Sequence, residues 1–346
     1  MGATTNSKSS KTPTKTQEVI GKRERSLLST LVLRYGVLFI TIIVFIVFSL
    51  MQPRFITPRN IFNLIGQGSI IGLLALGLTN IIVVGEFDIS FAAIATFCGV
   101  LSVFLVGATG MNLFLAWIIC FAFGIGLSLF NAVNVVYVGI PSFIATLGLM
   151  GVLTGVSKWI TGGSILYFAF MPRGFESIGR GMIANLIPSP VISFLIGALA
   201  VVVFLEYTYI GRYFYAVGGG REAARRAGVN VRKVKFLAFL VMGIIAGSSG
   251  LLMASMFGVG NPVMGDSFLF PAIISAFLGA VFLKEGIPNP SGAVVAAILL
   301  AIIANGLVML GLPLYVKEIV QGAILVVAVA MVSLLKPGGI PGAKMG

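Results

Sequence analysis

From Ile89 to Ser157 the chain reads ISFAAIATFCGVLSVFLVGATGMNLFLAWIICFAFGIGLSLFNAVNVVYVGIPSFIATLGLMGVLTGVS, without a single charged residue. A helix needs about 20 apolar residues to cross a bilayer, so this stretch has room for about three crossings. Breakers at 107–112 and 139–141 divide it into helices expected near 89–106, 113–136 and 142–160. Working outward, charge-poor runs predict further helices over 35–51, 60–85, 191–210, 236–257, 268–283, 292–310 and 319–335. The expected fold is an all-α integral membrane protein with about ten transmembrane helices.

Composition agrees. The chain is 58% hydrophobic and only 10% charged, with a mean hydropathy of +1.09. Such a chain has too little polar surface to cover itself in water, so lipid must be its solvent. Its 44 glycines suit helices that approach closely in a membrane. GxxxG pairs at Gly68/Gly72, Gly151/Gly155 and Gly243/Gly247 are expected to be packing positions.

The net charge of +13 could point to nucleic acid, but its distribution argues against that partner. The positive charge lies mainly in two blocks, 8–34 and 212–235, each flanking apolar spans. With ten spans and the N-terminus inside, both blocks, Lys284, Lys336 and Lys344 fall on the cytoplasmic face, as the positive-inside rule requires. Residues 1–34 are expected to be a disordered basic cytoplasmic tail, 35–335 the transmembrane domain and 336–346 a cytoplasmic C-terminal tail. Ten spans divide into five plus five, and an odd-numbered repeat must be inverted in the membrane, which makes two inverted five-helix halves the expectation. A faint echo between FIATLGLMG (143–151) and PAIISAFLG (271–279) fits an internal repeat.

Several function classes drop out. The chain has no histidine, and its two cysteines, Cys98 and Cys120, lie in apolar stretches, so no metal site, disulfide framework or cofactor is expected. No nucleotide-binding GxxxxGK[ST] or GxGxxG loop is present. No nucleophile–base set is visible, so the chain is not expected to be an enzyme.

The basic loop GRYFYAVGGGREAARRAGVNVRKVK (211–235) is the strongest local feature. Residues 221–227 have helical propensity, the glycines 218–220 permit a sharp turn into that helix, and Gly228 suits a C-terminal cap. A short exposed helix on a membrane protein is a knob for a partner's groove, although the arginines alone could serve topology and lipid phosphates. Glu222-Ala223-Ala224, three residues, then Gly228 resembles the EAA-x3-G loop of ABC importer permeases.

The resemblance extends along the chain from about 35 to 335, to the ribose-type sugar permeases of binding-protein-dependent ABC importers. MQPRFITPRNIFNLIGQGSIIGLLALG (51–77) resembles the family's N-terminal segment, and Asp88-Ile89-Ser90 sits where it has Asp-Leu-Ser. PSFIATLGLMGVLTGVSKWITGGS (141–164) is similar to its FIATL segment, and NGLVMLG (305–311) follows in order. Three departures stand out: LGAVFLKEGIPNPSG (278–292) replaces a glycine-rich stretch, Phe268–Pro271 stands where acidic residues are frequent, and Glu86 occupies a usually uncharged position.

This resemblance implies a permease importing a sugar or sugar-like solute through a bacterial inner membrane, with both termini cytoplasmic. It implies two cytoplasmic ATPase subunits, an extracytoplasmic solute-binding protein and a second permease copy or paralogue. Gly219, Gly220, Arg221, Glu222, Ala223, Ala224 and Gly228 would form the ATPase-coupling loop. Candidates for a polar solute path are Asn63, Gln67, Asp88, Ser90, Asn131, Thr146 and Asn305, with Asn80 and Asn134 as further polar positions. Interhelical hydrogen bonding is the competing reading for the amides. Helix capping is the competing reading for Asp88 and Glu86, which precede an apolar run. The competing function is an ion-coupled secondary transporter, which would show intramembrane ionisable residues and no need of an ATPase.

Overall fold

A computed structural model describes residues 27–183, 187–282 and 286–335. The predicted tails at 1–26 and 336–346, with Lys284, Lys336 and Lys344, lie outside the described residues. Residues 27–34, expected to belong to the tail, open the first helix instead.

The described elements are helices apart from an antiparallel pairing of Met182–Ile183 (β1) with Ile187–Pro188 (β2) and one bridge between Leu166 and Gly260. In order they are α1 Leu27–Met51, α2 Pro58–Val83, α3 Phe91–Gly107, α4 Leu113–Val133, α5 Ser142–Thr161, α6 Arg173–Arg180, α7 Ser189–Val202, α8 Tyr209–Gly219, α9 Arg221–Arg226, α10 Val231–Phe257, α11 Asp266–Gly279, α12 Pro290–Met309 and α13 Leu314–Leu335. Wide π turns extend α4 to Val138 and α7 to Tyr207.

Among the described residues, seven helices are long and apolar enough to cross a membrane: α2, α4, α5, α7, α10, α12 and α13. Shorter apolar helices lie at Tyr35–Met51, Phe91–Gly107 and Asp266–Gly279. Thus an apolar helix lies at each place where one was predicted. Helices α2, α10 and α12 are mostly buried, whereas α4, α5, α7 and α13 turn most of their surface outward. That outer surface carries Phe114, Phe130, Ile144, Val152, Leu199 and Val326, all exposed. Water would not tolerate so much bare apolar area, whereas lipid tails do.

Close approach at small residues sets the interior. A Cβ on Gly124 of α4 would lie 2.7 Å from the Gly247 Cα of α10, and one on Gly243 would lie 2.9 Å from the Gly124 carbonyl oxygen. The Ser128 hydroxyl donates across the same seam to the Phe239 carbonyl at 2.6 Å. Positions 124 and 128 thus meet 247 and 239, so α4 and α10 run antiparallel. On the other side of the molecule α2 meets α12 in the same sense: Asn60 and Asn305 exchange amide hydrogen bonds at 2.8 and 3.0 Å, and Gly68 faces Ala301. The central pair is antiparallel too, with Gly66 against Met256 and Gly77 against Met242.

The neighbours of α2 and α10 correspond. Helix α10 packs on α3 and α4, as α2 packs on α11 and α12; α3 touches α4 and α5, as α11 touches α12 and α13. Helices α4 and α12 both begin with an Asn cap: Asn112 accepts from Phe114 N–H, and Asn289 from Gly292 N–H.

The expected packing glycines divide. Gly68, Gly72, Gly243 and Gly247 meet neighbouring helices, whereas Gly151 and Gly155 on α5 have nothing within 4 Å. A GxxxG pair packs only where a second helix faces it, and this face of α5 points away from the rest of the chain. Gly124→Val is therefore expected to destabilise the detergent-solubilised chain by about 1–3 kcal/mol through overpacking. Gly151→Ala should shift stability by no more than about 0.5 kcal/mol; thermal melts of the two variants side by side check the contrast.

Candidate functional site

The turn joining α2 to α3, residues 84–90, is where most of the candidate residues meet. Helix α2 ends with Gly85 at φ +76°, where its N–H reaches the Ile82 carbonyl and the Glu86 N–H reaches the Ile81 carbonyl. This is a Schellman closure, and it needs a left-handed residue at its centre. The chain then passes against the start of α5. Phe87 N–H donates to the Ser142 hydroxyl at 3.1 Å and Ile89 N–H to the Thr146 hydroxyl at 3.2 Å. The backbone groups of the turn are thus satisfied by side chains of another helix.

Asp88, Ser90, Asn131 and Thr146 are fully buried and lie together. One Asp88 carboxylate oxygen, Oδ1, accepts from both the Ser90 N–H and the Ser90 hydroxyl at 2.7 Å. The Asn131 amide of α4 donates to the same hydroxyl at 2.8 Å. This joins the start of α3 to α4 and α5. The second Asp88 oxygen and the Asn131 carbonyl oxygen have no hydrogen-bond partner. Burial pushes the Asp88 carboxyl up to about 6, against the lowering effect of its bonds from Ser90.

Glu86 points the other way, toward the basic segment. Its Oε1 lies 2.8 Å from Arg221 and 2.5 Å from Lys235. Arg221, the first residue of α9, also donates to the Gly85 carbonyl at 2.9 Å. Glu86 and Lys235 are largely buried and Arg221 is half exposed. A buried carboxylate is tolerable only with partners of this kind. A further contact presses the two segments together: a Cβ on Gly218 would overlap the Val83 carbonyl at the end of α2.

The basic segment is more helical than expected. Helix α8 continues through Gly219, so the three glycines do not form an open turn; the break comes at Gly220. The physical reason is Gly218, which lets α8 lie directly against α2. Helix α10 starts at Val231, earlier than predicted, with Asn230 accepting from Lys233 N–H as its cap. Between them α9 buries only Ala224. Its C-terminus closes on Gly228 at φ +83°, with Gly228 N–H to Arg225 and Val229 N–H to Ala224, again a Schellman closure. Glu222 and Arg225 pair with each other at 3.2 Å and are both mostly exposed. Glu222, Ala223, Arg225 and Arg226 therefore form an open face with no side-chain bond to the rest of the fold, while Arg221 anchors the helix to the α2–α3 turn.

The remaining candidates lie toward the opposite end of α2. Asn305 is paired with Asn60, Gln67 lines a cavity, and Asn63 is exposed beside two smaller ones. Sequence reading missed Lys235, Ser142 and Gly218 as parts of the site. The unusual charge at Glu86 was the one available signal.

The residues from 60 to 329 match the model of a protein family described as branched-chain amino acid transport system / permease component. The ribose import permease protein RbsC of Escherichia coli K12 is 30% identical over 285 residues, covering 81% of this chain and 88% of the relative. The L-arabinose ABC transporter permease protein AraH of Azospirillum brasilense is 30% identical over 300 residues, 86% and 87% of the two chains. The xylose transport system permease protein XylH of Escherichia coli K12 is 28% identical over 340 residues, 82% and 86%. No solved structure matches the chain.

Two outcomes test the site. Glu86→Gln leaves Lys235 buried without a carboxylate and should destabilise the detergent-solubilised chain by about 3 kcal/mol. Glu86→Gln combined with Lys235→Met should recover most of that loss in denaturant unfolding. The Asp88 carboxyl has a folded value of about 6 against an ordinary 3.8, so the folded state binds the proton more tightly. Its contribution is complete below about pH 4 and is lost as pH rises through about 6, roughly 3 kcal/mol in all. Unfolding measured from pH 4 to 7.5 should show that fall in wild type and not in Asp88→Asn.

Proposed function

We infer that this chain, which belongs to the branched-chain amino acid transport system permease-component family, is the membrane-spanning subunit of an ABC importer for a sugar or sugar-like solute. It is a permease subunit and not an enzyme: it moves a solute without changing it. The named relatives act on ribose, arabinose and xylose, and their resemblance to this chain runs along most of its length.

The observation that carries the mechanism is α9. It is exposed, closed at its C-terminal end on Gly228, and tied through Arg221 to the buried Glu86 of the α2–α3 turn. In this reading the cytoplasmic ATPase subunits grip the open face of α9, with Glu222 and Arg225 as contacts and Gly228 preserving its closure. Displacement of α9 reaches the α2–α3 turn through Glu86, and the base of α10 through Lys235. The bonds from Asp88, Ser90 and Thr146 carry it on to α3, α4 and α5. ATP binding would then favour one arrangement of the bundle over another, which is what switching between outward- and inward-facing states requires.

Ten transmembrane helices in two inverted halves fit the packing. Helices α2–α5 and α10–α13 have corresponding neighbours around an antiparallel α2/α10 pair. Two inverted repeats rocking on such a pair are a common route to alternating access. The full assembly would contain a second permease copy or paralogue, two ATPase subunits and an extracytoplasmic solute-binding protein, in a bacterial inner membrane with both termini cytoplasmic.

Co-purification with a candidate ATPase subunit tests this reading. Wild type should retain the subunit, whereas Glu222→Ala should weaken retention and Gly228→Asp abolish it. Solute flux that persists without ATP, with no ATPase association in any variant, would establish the secondary transporter instead.

A further inference from the structure

A cavity of about 510 Å³ lies at the end of α10 remote from Lys235, between α2, α11, α12 and α13. Its volume is that of a small-molecule site. Four polar side chains reach it from separate elements: Gln67, Asn261, Ser267 and Lys317. Among the described residues, Gln67 and Ser267 have no internal hydrogen bond, and Lys317 has no carboxylate within ion-pair distance. Asn261 uses its carbonyl oxygen to accept from Val263 N–H at 3.0 Å, which fixes the side chain and leaves its amide donors free. Phe257 and Phe268, with ring centroids 6.4 Å apart, supply an apolar wall.

The rim is held in place rather than loose. Leu166 and Gly260 exchange backbone hydrogen bonds at 2.8 Å, and Gly265 N–H donates to the Thr96 hydroxyl at 2.9 Å. Arg180 closes the neighbouring helix end by donating to the Met256 and Phe257 carbonyls at 2.7 Å. The cavity therefore has fixed walls, hydrogen-bonding groups left over by the fold, and one half-buried cation.

Lys317 decides what would fit. Holding an ammonium partly out of water between aromatic and aliphatic walls is costly unless a negative group meets it. Among the described residues no carboxylate reaches ion-pair distance of Lys317; its one charge partner is the next residue, Glu318, which is exposed and acts only from a distance. A neutral sugar satisfies Gln67, Asn261 and Ser267 through its hydroxyls but leaves the ammonium uncompensated. A sugar bearing a carboxylate satisfies all four and lays its ring on the phenylalanine wall. We propose that this cavity is a solute-recognition site selecting an acidic sugar over its neutral counterpart, with Lys317 as the residue that discriminates. The inference rests on the permease reading, which places this end of α10 on the extracytoplasmic side where solute arrives.

The full chain purified into phosphatidylcholine nanodiscs tests it by saturation-transfer NMR titration with glucuronate and with glucose, which differ only at the sixth carbon. Glucuronate should bind roughly five- to tenfold more tightly, the worth of one charge-assisted contact. Lys317→Met should abolish that preference, Lys317→Arg should keep it, and Gln67→Leu should weaken both sugars alike. Equal affinities, no binding of either sugar, or a preference surviving Lys317→Met overturns the proposal. Loss of glucuronate binding in phosphatidylglycerol nanodiscs would also overturn it, by assigning the cavity to a lipid headgroup. None of these readouts involves the ATPase, so association with that subunit still stands or falls separately.

Discussion

The carboxylate of Glu86 is the interaction on which the arrangement depends. It binds two cations from segments far away in sequence, Arg221 at the start of α9 and Lys235 near the start of α10. Without them it would be an unpaired charge in a low-dielectric interior, an expensive state. With them it fixes three chain segments at one point. Gly218 allows the close approach that brings the cations within reach, so one missing side chain and one extra carboxylate work together. Two residues further on, Asp88 holds the N–H and hydroxyl of Ser90, and that hydroxyl in turn accepts from Asn131 of α4. The turn is short because Gly85 reverses the backbone immediately, and Glu86, Phe87, Ile89 and Ser90 each find a partner outside the turn.

Away from this point the fold is held by geometry more than by polar bonds. In lipid, apolar side chains gain little by leaving their solvent, so helices associate through shape and small residues. The α4/α10 seam at Gly124, Gly243 and Gly247 is built this way. The Asn60–Asn305 pair adds a polar contact where α2 meets α12. Both contacts lie on α2 or α10, which is why those helices are buried while α4, α5, α7 and α13 form the outer belt.

Much of this was legible in the sequence, because lipid imposes one strong rule: long charge-free runs must be helices. The apolar helices appear where those runs stand, and Gly228 and Asn230 mark helix ends as their residue types suggest. The pairing of distant residues was not legible. Glu86 looked anomalous, but its partner Arg221 is 135 positions away. Gly151/Gly155 and Gly243/Gly247 have the same spacing, yet only the second pair faces a helix of this chain. The polar candidates read as one set separate in space: Asp88, Ser90, Asn131 and Thr146 cluster at one end of α2, while Asn63, Gln67 and Asn305 lie toward the other. Periodicity reports which face of a helix is apolar, and says nothing of what stands opposite.

Helix α10 is unbroken over 27 residues, about 40 Å at 1.5 Å per residue. Lys235 sits near its first turn and Phe257 at its last, so one stiff rod has the ion pair at one end and the cavity wall at the other. A rod converts rotation into displacement in proportion to its length. Pivoting at its base by 3° would carry Phe257 sideways by about 2 Å. The same tilt would move the Gly243/Gly247 seam, about halfway along the rod, by about 1 Å, so α4, packed tightly there, must travel with α10: the rod and its seam partner move as one lever.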